Sequence, residues 1–351
     1  MRIGISFAFI KPYTGIWVYF TNLLKHAVLI DKETEYFIFT RLGCESIKAS
    51  NVKVINLSLP SLPGKRVFWA NFFIPKLAQK YNIDILLHAY HYAPIISTKF
   101  KNIVIIYDLA PIKLPNLHPK SEVYYYRFFL KDVIQHADRI IVISEYIRKE
   151  ILEYYNVPPG KLTLIYPGHE HIEPPNVGKE GGYVCTINAG AARKNFFTIL
   201  RAMEEINCEA RLNLVLLGRG SKKIFRTLKP KYRNFVVPHE PDSQEEFTRI
   251  LAGAKVFVYS TLYEGFGLPP LEAMKCGVPV VVSNIPIMHE VVGDAGLYCA
   301  PLDYKEFARA IKILLQDNEL RHKLKTKGYE RIKRFSWQKS AENLINLFKT
   351  L

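Results

Sequence analysis

The sequence predicts an α/β protein made of two facing, doubly wound, Rossmann-like domains. Two observations carry that expectation. Short β-prone apolar runs alternate with helical patterns along the chain, as βαβ units and parallel sheets require. The alternation stops once, at Glu170 to Gly182 (EHIEPPNVGKEGG), and then restarts. That stretch is rich in Pro and Gly and has no periodicity, so it reads as a linker. A chain of 351 residues also suits two domains of ordinary size. The expected division is 1–170, then 171–336, then a closing helix at 337–351.

The elements follow in order. Arg2 to Phe7 is an apolar strand. Its flanks, Lys11 and Pro12, suit a strand better than a leader peptide. Tyr13-Thr14-Gly15-Ile16 makes a turn, and Val18, Leu23 and Leu24 fall on one face of the next helix. Tyr36 to Thr40 and Val52 to Leu57 are strand candidates, and Pro60 to Gly64 is a loop. Trp69 to Tyr81 is a helix with Pro75 as an irregularity. Ile83 to Leu87 is a buried strand, and His88-Ala89-Tyr90-His91-Tyr92 follows it directly. Side chains at the carboxyl end of such a strand lie where ligands usually bind. No further ligand at recognisable spacing supports a metal site there.

Ile103 to Ile106 is a strand that ends in Tyr107-Asp108. Lys120 to His136 reads as one long helix containing YYYRFFLK at 124–131. Its aromatics lie on all sides, more than one buried face requires. Core packing or a membrane interface would account for the remainder. Arg139 to Ile143 is a strand, Ser144 and Glu145 open a helix, and Lys161 to Pro167 is the last strand of this half.

The second half restarts with strand Tyr183 to Ile187. Asn188 to Ala192 are small, and Arg193-Lys194-Asn195 then open a helix running through Met203. Fixed N–H donors with two cations suit a diphosphate without any metal. The alternative, two solvated cations at a helix start, opposes the dipole. Leu212 to Leu217 is a strand ending in Gly218-Arg219-Gly220, and Phe235 to Pro238 is a shorter one. Asp242 to Glu246 carries an N-cap pattern. Phe307 to Leu315 and Trp337 to Leu351 are helices.

The stretch Ser260 to Val282, STLYEGFGLPPLEAMKCGVPVVV, carries the strongest functional signal. A strand ends near Ser260, and Gly265 and Gly267 let bare backbone approach a ligand. Pro269 and Pro270 suit the first helical turn, and Gly277 ends the helix. This geometry favours an anion at the helix start. Glu264 precedes the loop, and Glu272 falls in the expected first helical turn. Taken alone, Glu264 would be a solvated loop carboxylate and Glu272 a helix-start acid.

The formal net charge is +16, with +8 in each half, so the excess is spread along the chain. It favours anionic partners: nucleoside diphosphates, a lipid phosphate, an anionic membrane surface or nucleic acid. No nucleic-acid-binding signature accompanies it. The five cysteines are scattered and lack zinc or redox spacing, as expected of reduced thiols in a cytosolic protein. No run of eighteen apolar residues suggests a membrane span.

The block EGFGLPPLEAMKCGVPVVVSN resembles the Glu-x7-Glu signature of family 4 retaining glycosyltransferases, which have the GT-B fold. ADRIIVISEYIRKEI, PPGKLTLIYPG and the Arg-Lys-Asn block extend the resemblance over nearly all of the chain. It implies a metal-independent hexosyltransferase that needs no cofactor. The donor would be a nucleotide-diphosphate sugar of the GDP-mannose or UDP-glucose type. A glycan or lipid-linked molecule would accept the sugar in an α-linkage. In the family's pattern Glu264 lies beside the donor sugar and Glu272 binds the ribose hydroxyls. Phe266, Gly267 and Leu268 offer N–H groups to the donor, and Arg193 and Lys194 neutralise the departing diphosphate. Gly15 takes the place of the loop facing the donor phosphates, where the family has paired glycines; a plain βα turn is the alternative. Gly218 belongs to the same donor side. Asp108 stands in register with the Asp of a family His-Asp pair, with Tyr107 in the His position. His88, His91 and Tyr107 form the expected acceptor-side wall. The expected location is cytoplasmic, with peripheral contact at the inner membrane face. Two rival readings remain at this stage. One is a basic membrane- or RNA-binding protein with a vestigial sugar-nucleotide site. The other is a GT-B nucleotide-sugar epimerase.

Overall fold

Parallel strands need crossover connections, and the crossovers cover both faces of a sheet, so the strands can be apolar throughout. The computed structural model is built on that rule twice. It describes every residue except 9, 11, 13, 42–46, 59–64, 175–180, 188, 189 and 210. The expected loop Pro60 to Gly64, part of the expected linker, Lys11, Tyr13, Cys44, Asn188 and Ala189 therefore lie outside the described residues. Two compact units result: Met1–Gly168 with Ser336–Leu351, and His169–Phe335.

The first unit holds seven strands: β1 (Arg2–Ser6), β2 (Glu35–Thr40), β3 (Val52–Asn56), β4 (Ile85–His88), β5 (Lys101–Ile106), β6 (Arg139–Val142) and β7 (Leu162–Leu164). Their order is β3-β2-β1-β4-β5-β6-β7, all parallel. The second unit holds β8 (Tyr183–Ile187), β9 (Asn213–Leu217), β10 (Val236–His239), β11 (Val256–Tyr259), β12 (Val280–Ser283) and β13 (Gly296–Cys299). Their order is β10-β9-β8-β11-β12-β13, again all parallel. In each sheet the chain winds outward and then crosses back. The order therefore reverses between β1 and β4, and between β8 and β11. Ligands bind outside the carboxyl ends of strands at such reversals.

Several elements differ from expectation. The stretch Lys120 to His136 is two helices, Lys120–Phe128 and Leu130–His136. Phe129 between them stays in the right-handed helical region, but its φ of −109° is well off the regular helical value, and its ring stacks on Tyr125 one turn back. The irregularity expected at Pro75 is a π-helical segment, Trp69–Phe73, just before it. The ring of Pro75 would clash with the carbonyl of Asn71, and the wider turn relieves that contact. Arg193 and Lys194 do not begin the helix. They occupy a short 3₁₀ turn, Ala192–Lys194, and the helix itself is Phe196–Asn207. Asn195 between them takes a left-handed conformation, φ 52°. Helix Asn318–Ile332 was not anticipated, because it buries only Leu324, Gly328 and Ile332. Gly328 lets it lie close against Met274.

The closing helix, Trp337–Lys349, packs on helix Gly15–Ile30. Ser336 caps it by accepting from the Lys339 N–H. Trp337 is fully buried, edge-on to Tyr19 at 5.6 Å. Tyr19 donates its hydroxyl to the Ile165 carbonyl at 2.9 Å, and Ser340 donates to the Tyr166 carbonyl at 2.6 Å. These contacts tie the end of the chain to the segment after β7. Trp337→Ala should therefore destabilise the first unit by about 3–5 kcal/mol, the range for deleting a buried aromatic. Urea unfolding followed by far-UV dichroism measures it; a loss under about 1 kcal/mol would show that the helix is dispensable to the unit.

Candidate active site

The reversal in the second sheet brings together the loop after β8 and the loop after β11. Backbone bonds join them: Leu262 N–H donates to the Arg193 carbonyl at 2.8 Å. Ser260 donates its hydroxyl to the Asn195 carbonyl at 2.9 Å, and Thr261 donates to that of Arg193 at 3.2 Å. Ser260 and Thr261 are fully buried, so this seam is dry. It places two cations over one carboxylate.

Glu264 is 7% exposed. Its Oε1 accepts from Arg193 Nη1 and from Lys194 Nζ, each at 2.5 Å. It also accepts from the Tyr259 hydroxyl at 3.0 Å and the Thr261 hydroxyl at 3.1 Å. Lys194 Nζ further donates to the Tyr259 hydroxyl and lies over that ring. Oε2 accepts no hydrogen bond from a described residue. Burial alone raises the pKa of Glu264, but the charges of Arg193 and Lys194 outweigh it and hold the carboxyl at about 2. Burial first, and then the Glu264 charge, push the Tyr259 phenol well above its ordinary value, so it stays a donor. The cluster holds two cations and one anion, leaving one net positive charge in a largely enclosed site.

The next residues form the glycine loop. Phe266 is buried, with its ring edge-on to Phe335 at 5.3 Å. Gly267 has φ 100°, and a Cβ there would lie 2.6 Å from Met288 Cε. The positive φ favours glycine, and a larger residue would also have to displace the flexible end of Met288. Helix Leu268–Lys275 starts on Gly267. Pro269 and Pro270 carry no N–H, so the backbone donors at this helix start belong to Gly267 and Leu268.

Glu272 lies in the second turn of this helix, not the first, because the helix begins at Leu268. It is therefore no helix-start acid. Its carboxylate is buried and accepts from His171 Nε2 at 3.1 Å. Gly218, φ 113°, ends β9 beside Ile187 of β8. Its N–H donates to the His239 carbonyl.

The remaining candidates lie in the first unit. Gly15 is exposed at the first position of helix Gly15–Ile30, capped by Thr14 Oγ1 accepting from the Trp17 N–H. Asp108 Oδ1 accepts from the Ala110 N–H at 3.0 Å. His88 ends β4 fully buried, its Nε2 bonded to Asn102 Oδ1. His91 is buried as well, with Tyr126 bonded to its Nδ1 and Tyr125 donating to its carbonyl. Burial lowers His88 to about 4 and His91 well below the usual range, so both are neutral near pH 7. Tyr107 is buried, donates to the Ala89 carbonyl at 3.1 Å, and is held protonated by burial. These three side chains are interior; Tyr90 and Tyr92, stacked around His91, are the partly exposed ones.

The sequence reading missed Tyr259, Thr261 and His171. Tyr259 closes the strand five residues before Glu264, a signal that was there to be used. His171 lies 101 residues from Glu272, and nothing local points to it.

The model of the group 1 glycosyl transferases matches residues 169–331, and that of glycosyltransferase family 4 matches residues 13–171. An O-antigen chain mannosyltransferase B of Escherichia coli is 31% identical over 268 residues, covering 70% of this chain and 69% of the relative. The chain belongs to the family 4, group 1 glycosyltransferases. A second relative, the O-antigen chain mannosyltransferase RfbU of Salmonella typhimurium, is 24% identical and covers 87% of this chain and 88% of its own length. Among solved structures, a sucrose-phosphate synthase of Thermosynechococcus elongatus aligns with a TM-score of 0.79 at 19% identity. That alignment covers 99% of this chain and 98% of the other, and it shows the GT-B fold of this glycosyltransferase. No helix among the described residues is long and apolar enough to cross a membrane.

The Glu264 cluster sets an acid sensitivity. Its pKa is about 2 folded against 4.5 ordinarily, so its stabilisation is complete above about pH 4.5 and is lost as pH falls toward 2. Glu264→Gln should cost on the order of 3 kcal/mol at pH 7, and the gap to wild type should narrow at pH 4 and again at pH 3. Urea unfolding at the three values measures this, and a gap independent of pH would refute the ion cluster.

Proposed function

We propose that this glycosyltransferase moves a hexose from a nucleoside diphosphate sugar to a glycan or lipid-linked acceptor, with retention and an α-linkage. The observation that carries the proposal is the Glu264 cluster. It offers net positive charge, beside loop N–H groups, at the carboxyl ends of β8 and β11. A leaving diphosphate is the anion that such a place fits. Arg193 and Lys194 would meet the negative charge that grows on the β-phosphate oxygen as the glycosidic bond breaks. No metal is required, because two protein cations and the N–H groups supply the stabilisation. Among the described residues no group of His, Cys, Asp or Glu has metal-holding geometry. Glu264, ionised and held by one oxygen, would orient sugar hydroxyls with the other rather than attack. Glu272 would take the ribose hydroxyls. The acceptor hydroxyl would attack from the face the diphosphate leaves, giving its proton to a phosphate oxygen. Both relatives named above are mannosyltransferases of O-antigen chains, which favours mannose as the sugar and a glycan as the acceptor.

His88, His91 and Tyr107 are too buried to touch an acceptor directly. As acceptor-side residues they would act by holding Tyr90 and Tyr92. Asp108 is proposed as the polar end of the same region.

Lys194→Ala should lower kcat about a hundredfold or more in a radiolabelled transfer assay with GDP-mannose or UDP-glucose, on the scale of losing one preorganised donor. Turnover of the wild type should persist in excess EDTA. Because Lys194 also pairs with Glu264, the midpoint of thermal unfolding will fall, so kcat is read well below it. Unchanged kcat in Lys194→Ala and Arg193→Ala would remove the diphosphate assignment.

The acceptor is proposed to be presented at a membrane, with the protein peripheral on the cytoplasmic side. Phe68, Phe72, Tyr124 and Phe128 are exposed on helical segments of the first unit, beside Arg66, Arg127 and Lys131. Aromatics anchor at an interface, and basic side chains near an anionic surface contribute about 1 kcal/mol each. Tyr125 and Trp69, by contrast, are buried and belong to the core. Wild type should float with anionic vesicles at low salt and less at high salt, and Tyr124→Ser with Phe128→Ser should abolish flotation. If wild type stays unbound, a soluble acceptor replaces the membrane-presented one.

A further inference from the structure

Glu272 is a buried carboxylate with a single donor among the described residues. Its side chain is 9% exposed, that of His171 is 8% exposed, and the two meet at 3.1 Å through His171 Nε2 and Glu272 Oε1. Oε2 accepts no hydrogen bond from a described residue. A glutamate on a helix has three side-chain torsions, and without a donor its carboxylate would settle in several rotamers. His171 removes that freedom by one bond. It can do so because its own backbone is fixed. The turn His169 to Ile172 is closed by the Ile172 N–H on the His169 carbonyl at 3.0 Å. Ile172 is 1% exposed and anchors the turn in the second unit. Glu272 in turn stands on a helix held by Gly328 against Met274.

We infer that His171 is a positioning residue for the donor nucleotide. By holding Oε1 it presents Oε2 of Glu272 in one orientation, suited to a vicinal diol. This deepens the proposed function and rests on its assignment of Glu272 to the ribose hydroxyls. His171 itself touches no nucleotide. An arrangement with one oxygen held by protein and the other reserved for ligand repeats what Glu264 shows a few residues earlier. The difference lies in the donor. One imidazole N–H holds Glu272, whereas two full charges hold Glu264.

Calorimetric titration of GDP and of UDP into five proteins tests the inference. These are wild type, His171→Ala, His171→Gln, Glu272→Ala and the double variant His171→Ala with Glu272→Ala. Gln places its amide nitrogen near the position of Nε2 and can donate the same bond. Loss of one charge-assisted hydrogen bond corresponds to about tenfold in affinity. His171→Ala should therefore bind the preferred nucleotide about tenfold more weakly. His171→Gln should stay within about threefold of wild type. Adding His171→Ala to Glu272→Ala should weaken binding no further, since the two act as a unit. A general loss of structure would not be rescued by Gln and would add to the Glu272 effect. If Glu272→Ala weakens binding while His171→Ala does not, the inference fails and the donor site stands. If Glu272→Ala binds like wild type, or if neither nucleotide binds wild type, the ribose assignment fails and takes the inference with it.

Discussion

Burying the carboxylate of Glu264 is costly unless its charge is answered, and the second unit is arranged around the answer. Isolated in a dry seam the group would take up a proton. Arg193 and Lys194 keep it ionised, and Tyr259 and Thr261 complete its donors. Such clusters are weak evidence for stability, since desolvation offsets much of the attraction. Their effect is placement. The same ion group that holds Glu264 fixes a guanidinium and an ammonium at the carboxyl ends of two neighbouring strands. Neither cation can swing to solvent without stranding the anion. The cost of burial thereby becomes preorganised positive charge, and the diphosphate role proposed for the cluster rests on it.

The sheets decide where that charge stands. In the second sheet β8 and β11 pair directly although 68 residues separate their ends and starts. The connections that leave them point the same way. Loop seams between such strands have few internal backbone partners, so Ser260 and Thr261 bond across the gap instead. The first sheet has the same reversal between β1 and β4, with a different filling. There the strand end is plugged by His88, His91, Tyr107, Tyr125 and Tyr126, all neutral; His88 bonds the Asn102 side chain, and the others bond one another or backbone. A neutral aromatic plug suits uncharged hydroxylated ligands, as a charged seam suits phosphate. The chemical contrast between the two reversals accords with a donor site on the second unit and an acceptor region on the first.

The excess positive charge reads differently once burial is known. Arg193 and Lys194 are half-answered inside the site, while the basic residues beside Phe68, Phe72, Tyr124 and Phe128 are on a surface. The formal charge of +16 is therefore divided between a low-dielectric seam, where charges act strongly at short range, and the solvated surface, where salt screens them.

The sequence by itself determined the fold class, most strand positions and the glycine loop. Those are set by local physics: alternation of apolar runs, glycine where φ is positive, proline where an N–H is not needed. Gly267 shows the point, since its φ of 100° is one that residues with a Cβ rarely adopt. The residues of the Glu264 site were also legible, because they cluster in two short blocks. Only the tertiary structure decided what they do to one another. It moved Arg193 and Lys194 off the helix start and onto Glu264, put Glu272 one turn further along, and drew in Tyr259 and His171. It also divided the Tyr124 to Lys131 run into buried and exposed members, a division that helical periodicity could not make across a break at Phe129. The reason is common to all of these. Which charge answers a buried carboxylate, and which aromatic is covered, depends on contacts between segments up to 101 residues apart, and no local pattern records them.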